Sequence, residues 1–148
     1  MVELLNPKEE FIGITPKKTV LDFWRWGYSD LLQNITRGIV AEYIVLCALG
    51  IEPSKSRDPW EDCDIKTKNN LKIEIKTTGY LQSWYSKERP KIINPKIVIK
   101  PTKLYHSDSG KMESNKTLNS DLYVICFHKE EDWNKVNPLD TDQWTFGF

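Results

Sequence analysis

No stretch of this chain approaches the roughly 20 consecutive apolar residues that a membrane-spanning helix requires. The opening residues, MVELLNPKEE, also lack the apolar centre of a secretion signal. The expected location is therefore cytoplasmic, with no membrane partner. Cysteine is scarce: Cys47, Cys63 and Cys126 are odd in number and none has metal-ligand spacing, which argues against a disulfide framework and a structural zinc. Net charge is lacking too. Lys plus Arg and Asp plus Glu each total 21, so any electrostatic argument must rest on local distribution. A Gly-rich phosphate loop and a G-x-S-x-G turn are both missing, which disfavours P-loop nucleotide hydrolysis and serine-hydrolase chemistry. No internal repeat, heptad pattern or long flexible linker divides the chain.

What is present suits one packed domain over residues 1–148: 39% hydrophobic residues and six Trp. Residues 143–148 read as a strand that stops in mid-course, as in a fragment of a longer chain. Residues 19–28 carry Phe23, Trp24, Trp26 and Tyr28, expected as a short helix or extended segment whose rings pack into the core. A helix is expected over 30–49, with Ser29 or Asp30 as its cap and Gly50 in the left-handed stop position. Ile35, Ile39, Tyr43, Leu46 and Cys47 would form its apolar stripe. Glu42 falls on or beside that stripe, where it needs a cation, or at its edge, where it reaches water. Gly38, one turn earlier, would admit another backbone or a ligand.

The run Leu71-Lys72-Ile73-Glu74-Ile75-Lys76-Thr77 alternates strictly, and with residues 64–67 it reads as a β-hairpin turning at Asn69-Asn70. Alternation puts Glu74 and Lys76 on one face and Leu71, Ile73 and Ile75 on the other, in a core. The turn brings Asp64 opposite the Glu74 region. Two carboxylates and an ammonium then converge, which suits phosphodiester hydrolysis: hard oxygen ligands for Mg²⁺, and a cation beside the attacking water or phosphate. Further strands are expected at 96–100, 122–127 and 143–148, one or two helical turns within 80–88, and a polar loop over 107–120. His106 and His128 have no acid or thiol at ligand spacing and read as loop and strand-end residues.

Glu42, then Asp64, then Glu74-x-Lys76, on a helix and two paired strands, resembles the PD-(D/E)XK, or restriction-endonuclease-like, nuclease superfamily over roughly residues 30–100. The segment from Glu74 through Gly79, Gln82 and Trp84, together with Asn137-Pro138-Leu139-Asp140-Thr141-Asp142-Gln143-Trp144, resembles a group of small, largely uncharacterised bacterial proteins within it. The resemblance implies an α/β fold with a central mixed β-sheet flanked by α-helices. It also implies a magnesium-dependent deoxyribonuclease in which Mn²⁺ can substitute. Asp64, Glu74 and the Ile75 carbonyl would be metal ligands, Lys76 the catalytic lysine, Glu42 an auxiliary acid and Gln82 an accessory residue near metal or phosphate. Cys63 stands where the Pro of the family name would be, which leaves Asp62 as a rival for the first acid position.

Residues 87–103 hold Lys87, Arg89, Lys91, Lys96, Lys100 and Lys103 against Glu88 alone, a strip able to track a phosphate backbone. Trp84 and Tyr85 beside it could stack on unpaired bases. The expected partner is DNA. A homodimer, as in many nucleases that cut both strands, is left open. The rival readings are a catalytically inactive nucleic-acid-binding module of the same fold and a protein-interaction domain with exposed aromatics.

Overall fold

The computed structural model describes residues 3–85, 92–103, 105–106 and 109–148. Thr19 opens helix α1, Val20–Tyr28, through a capping box with Asp22: the Asp22 carboxylate accepts from the Thr19 N–H at 2.8 Å, and the Thr19 hydroxyl accepts from the Asp22 N–H at 3.3 Å. The aromatics of α1 are not core residues. Phe23 and Tyr28 meet edge to face at 6.0 Å, but both rings, with Trp24 and Trp26, remain exposed because only Val20 on this helix is buried.

Helix α2, Asn34–Ala48, begins four residues later than its pattern implied. The Asp30 carboxylate is spent on a preceding turn, accepting from the N–H groups of Leu32 at 3.1 Å and Gln33 at 3.2 Å, so Gln33 is left as a cap without a side-chain bond. The helix stops as expected, with Gly50 at φ 66°. Its buried face differs from the expected stripe. Thr36, Arg37, Ala41 and Val45 point inward, while Ile35 is 71% exposed and Tyr43 and Cys47 are exposed. This helix is apolar almost all round, so periodicity could not choose its face. Gly38 gives no unusually close approach, since a Cβ there would meet the Thr77 methyl at 3.8 Å.

Strands β1, Ile65–Lys66, and β2, Lys72–Gly79, form the antiparallel hairpin, with Ile65 opposite Ile73 and Asn70 at φ 61°. Leu71 lies outside the core, exposed in the turn, with its N–H on the Thr67 hydroxyl. Two short strands pair with each other, β3, Tyr105–His106, just before the stretch 107–120 read as a loop, and β4, Lys111–Met112, within it. Strand β5, Leu122–His128, runs parallel to β2, and β6, Trp144–Gly147, runs antiparallel to β5. The result is an α/β fold with a mixed four-stranded sheet in the order β1-β2-β5-β6. Residues 96–100 form no strand, because the run is bracketed by Pro95 and Pro101, which donate no ladder hydrogen bonds. Of the stretch expected to hold a helical turn, residues 81–85 make a turn without a helix, and 86–88 lie outside the described residues.

Period-two alternation sorts this sheet into two faces. Ile65, Ile73, Ile75, Val124, Cys126 and Trp144 pack with Ala41 and Val45 of α2. The opposite face carries Glu74, Lys76 and Tyr123 and is faced by the segment bearing Val98, Lys100 and Lys103 instead of a second helix. The expected long helix laid on one face is α2, among the described residues. No described helix is long and apolar enough to cross a membrane.

Candidate functional site

The β1–β2 register, continued by one residue, sets Asp64 opposite Glu74. There the ladder gives way to a side chain: Asp64 Oδ2 accepts from the Ile75 N–H at 2.7 Å. A strand residue turns its N–H and C=O to the same edge, so the Ile75 carbonyl faces Asp64 as well. Burial pushes the Asp64 pKa up to about 6; the Ile75 hydrogen bond opposes this, Glu42 and Glu74 reinforce it, and Lys76 offsets part of it. The central acid is thus short of cationic compensation.

The cation nearest to it is Arg57, which the sequence had not singled out. Its guanidinium clasps Glu42 through Nε on Oε2 and through Nη2 on Oε1 at 2.7 Å, and Nη2 lies 3.7 Å from Asp64 Oδ1. Glu42 thereby has its cation, and its side chain is only 14% exposed. The hydrogen bond to Glu42 holds the Arg57 pKa above its ordinary value. Arg57 lies in an aperiodic loop after Pro53, so neither strand nor helix spacing marked it. Its only signal was a cation between an acid-bearing helix and an acid-bearing hairpin.

Glu74 and Lys76, two residues apart on β2, share a face and are ion-paired through Oε1 and Nζ. Asp62, the rival first acid, is bound instead to Lys72, which draws its pKa down. Asp64 is therefore the acid that touches Ile75 and senses Glu42, Glu74 and Lys76 together. The acids open on two clefts. One of about 570 Å³ is bordered by Glu42, Arg57 and Asp64, and one of about 320 Å³ by Glu74, Lys76 and Tyr123; Glu61 borders both.

Gln82 is placed elsewhere. It is 2% exposed, accepts from Arg37 Nη2 at 3.2 Å and donates to the Gly79 carbonyl at 3.1 Å, so its amide braces α2 against the end of β2. Its partner Arg37, also 2% exposed, donates further to the carbonyls of Leu32 and Leu81 and to Asn34 Oδ1. Trp84 is exposed and leans on Tyr85 at 6.0 Å. Lys87, Arg89 and Lys91 lie outside the described residues.

Whether these groups suit Mg²⁺ turns on donor chemistry. Among the described residues no three His, Cys, Asp or Glu side chains are gathered into a ready metal cage. Mg²⁺ does not require one: it takes one or two carboxylates, keeps several waters and completes its shell on substrate phosphate. Asp64, Glu74 and the Ile75 carbonyl supply hard oxygens of that kind, and the raised Asp64 pKa marks a place where added positive charge is favourable. No protein-family model, curated protein or solved structure matches the chain.

Proposed function

We propose that this chain is a divalent-metal-dependent nuclease that hydrolyses DNA phosphodiester bonds at a PD-(D/E)XK-type site on a restriction-endonuclease-like core. The observation that carries the reading is Asp64: it bonds the backbone between Glu74 and Lys76, lies opposite Glu74, and feels the charges of Glu42, Glu74 and Lys76. Asp64, Glu74 and the Ile75 carbonyl would hold Mg²⁺, or Mn²⁺ in its place. When bound there, such an ion would supply Lewis-acid activation of water and charge neutralisation at the phosphate.

The protein's own groups do the rest. Lys76, steadied by Glu74, has further ammonium protons to direct at the attacking water or a phosphoryl oxygen. Glu42, joined to Asp64 through the shared Arg57 guanidinium, would add to the acids or accept a proton from water. Glu74→Ala and Lys76→Ala should each slow Mg²⁺-dependent cutting of plasmid and single-stranded DNA on the order of 10²-fold or more, with unfolding curves unchanged in shape. Wild-type cutting rates in either variant would remove the assignment.

A catalytically inactive nucleic-acid-binding module of the same fold is favoured by one observation: both Glu42 and Glu74 already have internal cations, Arg57 and Lys76. That reading predicts salt-sensitive binding without cutting at any Mg²⁺ concentration.

A further inference from the structure

The cleft of Glu74 and Lys76 contains groups that metal chemistry does not use. Across from β2 its wall carries Lys100 and Lys103, both exposed and, among the described residues, without a hydrogen-bond or ion-pair partner. With Glu74 paired to Lys76 and Asp62 to Lys72, Glu61 is the one remaining acid beside these two among the described lining residues. Trp60 stands on the lip. Its indole is 66% exposed, and its centroid lies 5.7 Å from that of Tyr105 with the planes inclined by 58°, so Tyr105 braces one side and leaves the rest of the ring open.

Size then selects among nucleic acids. About 320 Å³ is near the lower limit for a small-molecule site and accommodates about one nucleotide. A base inside a duplex is stacked and paired, and its phosphate is carried on a rod too broad for such a cleft. We infer that the strand acted on here enters unpaired, with its backbone along Lys100 and Lys103 and a base stacked on Trp60. Stacking on an aromatic face accepts any base, so the cleft reads strandedness and not sequence. This inference rests on the nuclease reading for its chemistry and adds the substrate class to it.

The test is fluorescence anisotropy in EDTA with labelled 15-mers: single-stranded DNA, single-stranded RNA and duplex DNA of one sequence. Either single strand, with the better of the two identifying the sugar, should bind at least about 10-fold tighter than duplex, and Trp60→Ala should weaken it about 10-fold. Trp60→Phe should keep most of the affinity, and Trp26→Ala, an exposed tryptophan on α1, should keep all of it. In the Lys100→Gln/Lys103→Gln variant the slope of log affinity against log salt should shrink by about 1.4. Equal or tighter duplex binding, no binding of any strand, or wild-type affinity in Trp60→Ala would overturn the inference. Cutting in Mg²⁺ separates the two claims: single strands bound but never cut would sink the nuclease reading alone, whereas duplex bound equally well and cut would sink only this one.

Discussion

Arg57 grips Glu42 with two donors, Nη2 on Oε1 at 2.7 Å and Nε on Oε2, and so seats a guanidinium between α2 and the hairpin acids. Because Nη2 also lies 3.7 Å from Asp64 Oδ1, this side chain stands in for part of the charge that a metal would bring. Arg57→Gln should therefore leave two acids facing each other. Taking the cation from Glu42, whose side chain is only 14% exposed, should cost on the order of 2 kcal/mol without metal, and Mn²⁺ should raise the melting temperature more in the variant than in wild type. Thermal melts in EDTA and in Mn²⁺ check both effects.

Asp64 gives a pH signature of definite sign. Its folded pKa of about 6 exceeds the ordinary carboxylate value of 3.8, so between the two the folded state binds more protons than the unfolded state. Stability then falls as pH rises through that window, and the deficit is complete above about 6. Allowing for solvent screening, it is on the order of 2 kcal/mol. Asp64→Asn keeps an acceptor for the Ile75 N–H and removes the charge. In EDTA it should melt about 5 °C higher than wild type at pH 8 and show no difference near pH 3.5, while cutting is lost.

Gln82 should prove structural. Gln82→Ala takes an acceptor from the buried Arg37 guanidinium and should cost about 2 kcal/mol in urea unfolding. Cutting per folded molecule should be unchanged. A loss of turnover at full stability would return Gln82 to the catalytic site.

At Gly79 the constraint is contact with β5. An added Cβ would lie 3.0 Å from the His128 carbonyl oxygen and 3.1 Å from the His128 Cβ, and neither can withdraw without disturbing the parallel ladder. Gly79→Ala should cost about 1–3 kcal/mol, read as a lower urea midpoint with an unchanged slope.

The hairpin was legible because Ile73, Glu74, Ile75 and Lys76 alternate and Asn70 tolerates positive φ. Strands β5 and β6 followed from short apolar runs. The docking face of α2 was hidden, since small Ala41 packs inward while bulky Ile35 and Tyr43 face out. Arg57 was hidden for another reason: its role depends on where an aperiodic loop crosses between two elements, which no spacing records. Glu74 and Lys76 share a face as an ion pair, as strand alternation implied, whereas Gln82, only six residues beyond Lys76, turns toward α2 and serves Arg37.

On the proposed reading, Asp64 and Glu74 would share one divalent cation. Anomalous diffraction from crystals soaked in Mn²⁺ tests it most directly. A peak is expected within ligand distance of both carboxylates and of the Ile75 carbonyl, lost in Asp64→Asn; a fully occupied surface site elsewhere with nothing between Asp64 and Glu74 would rule the shared ion out.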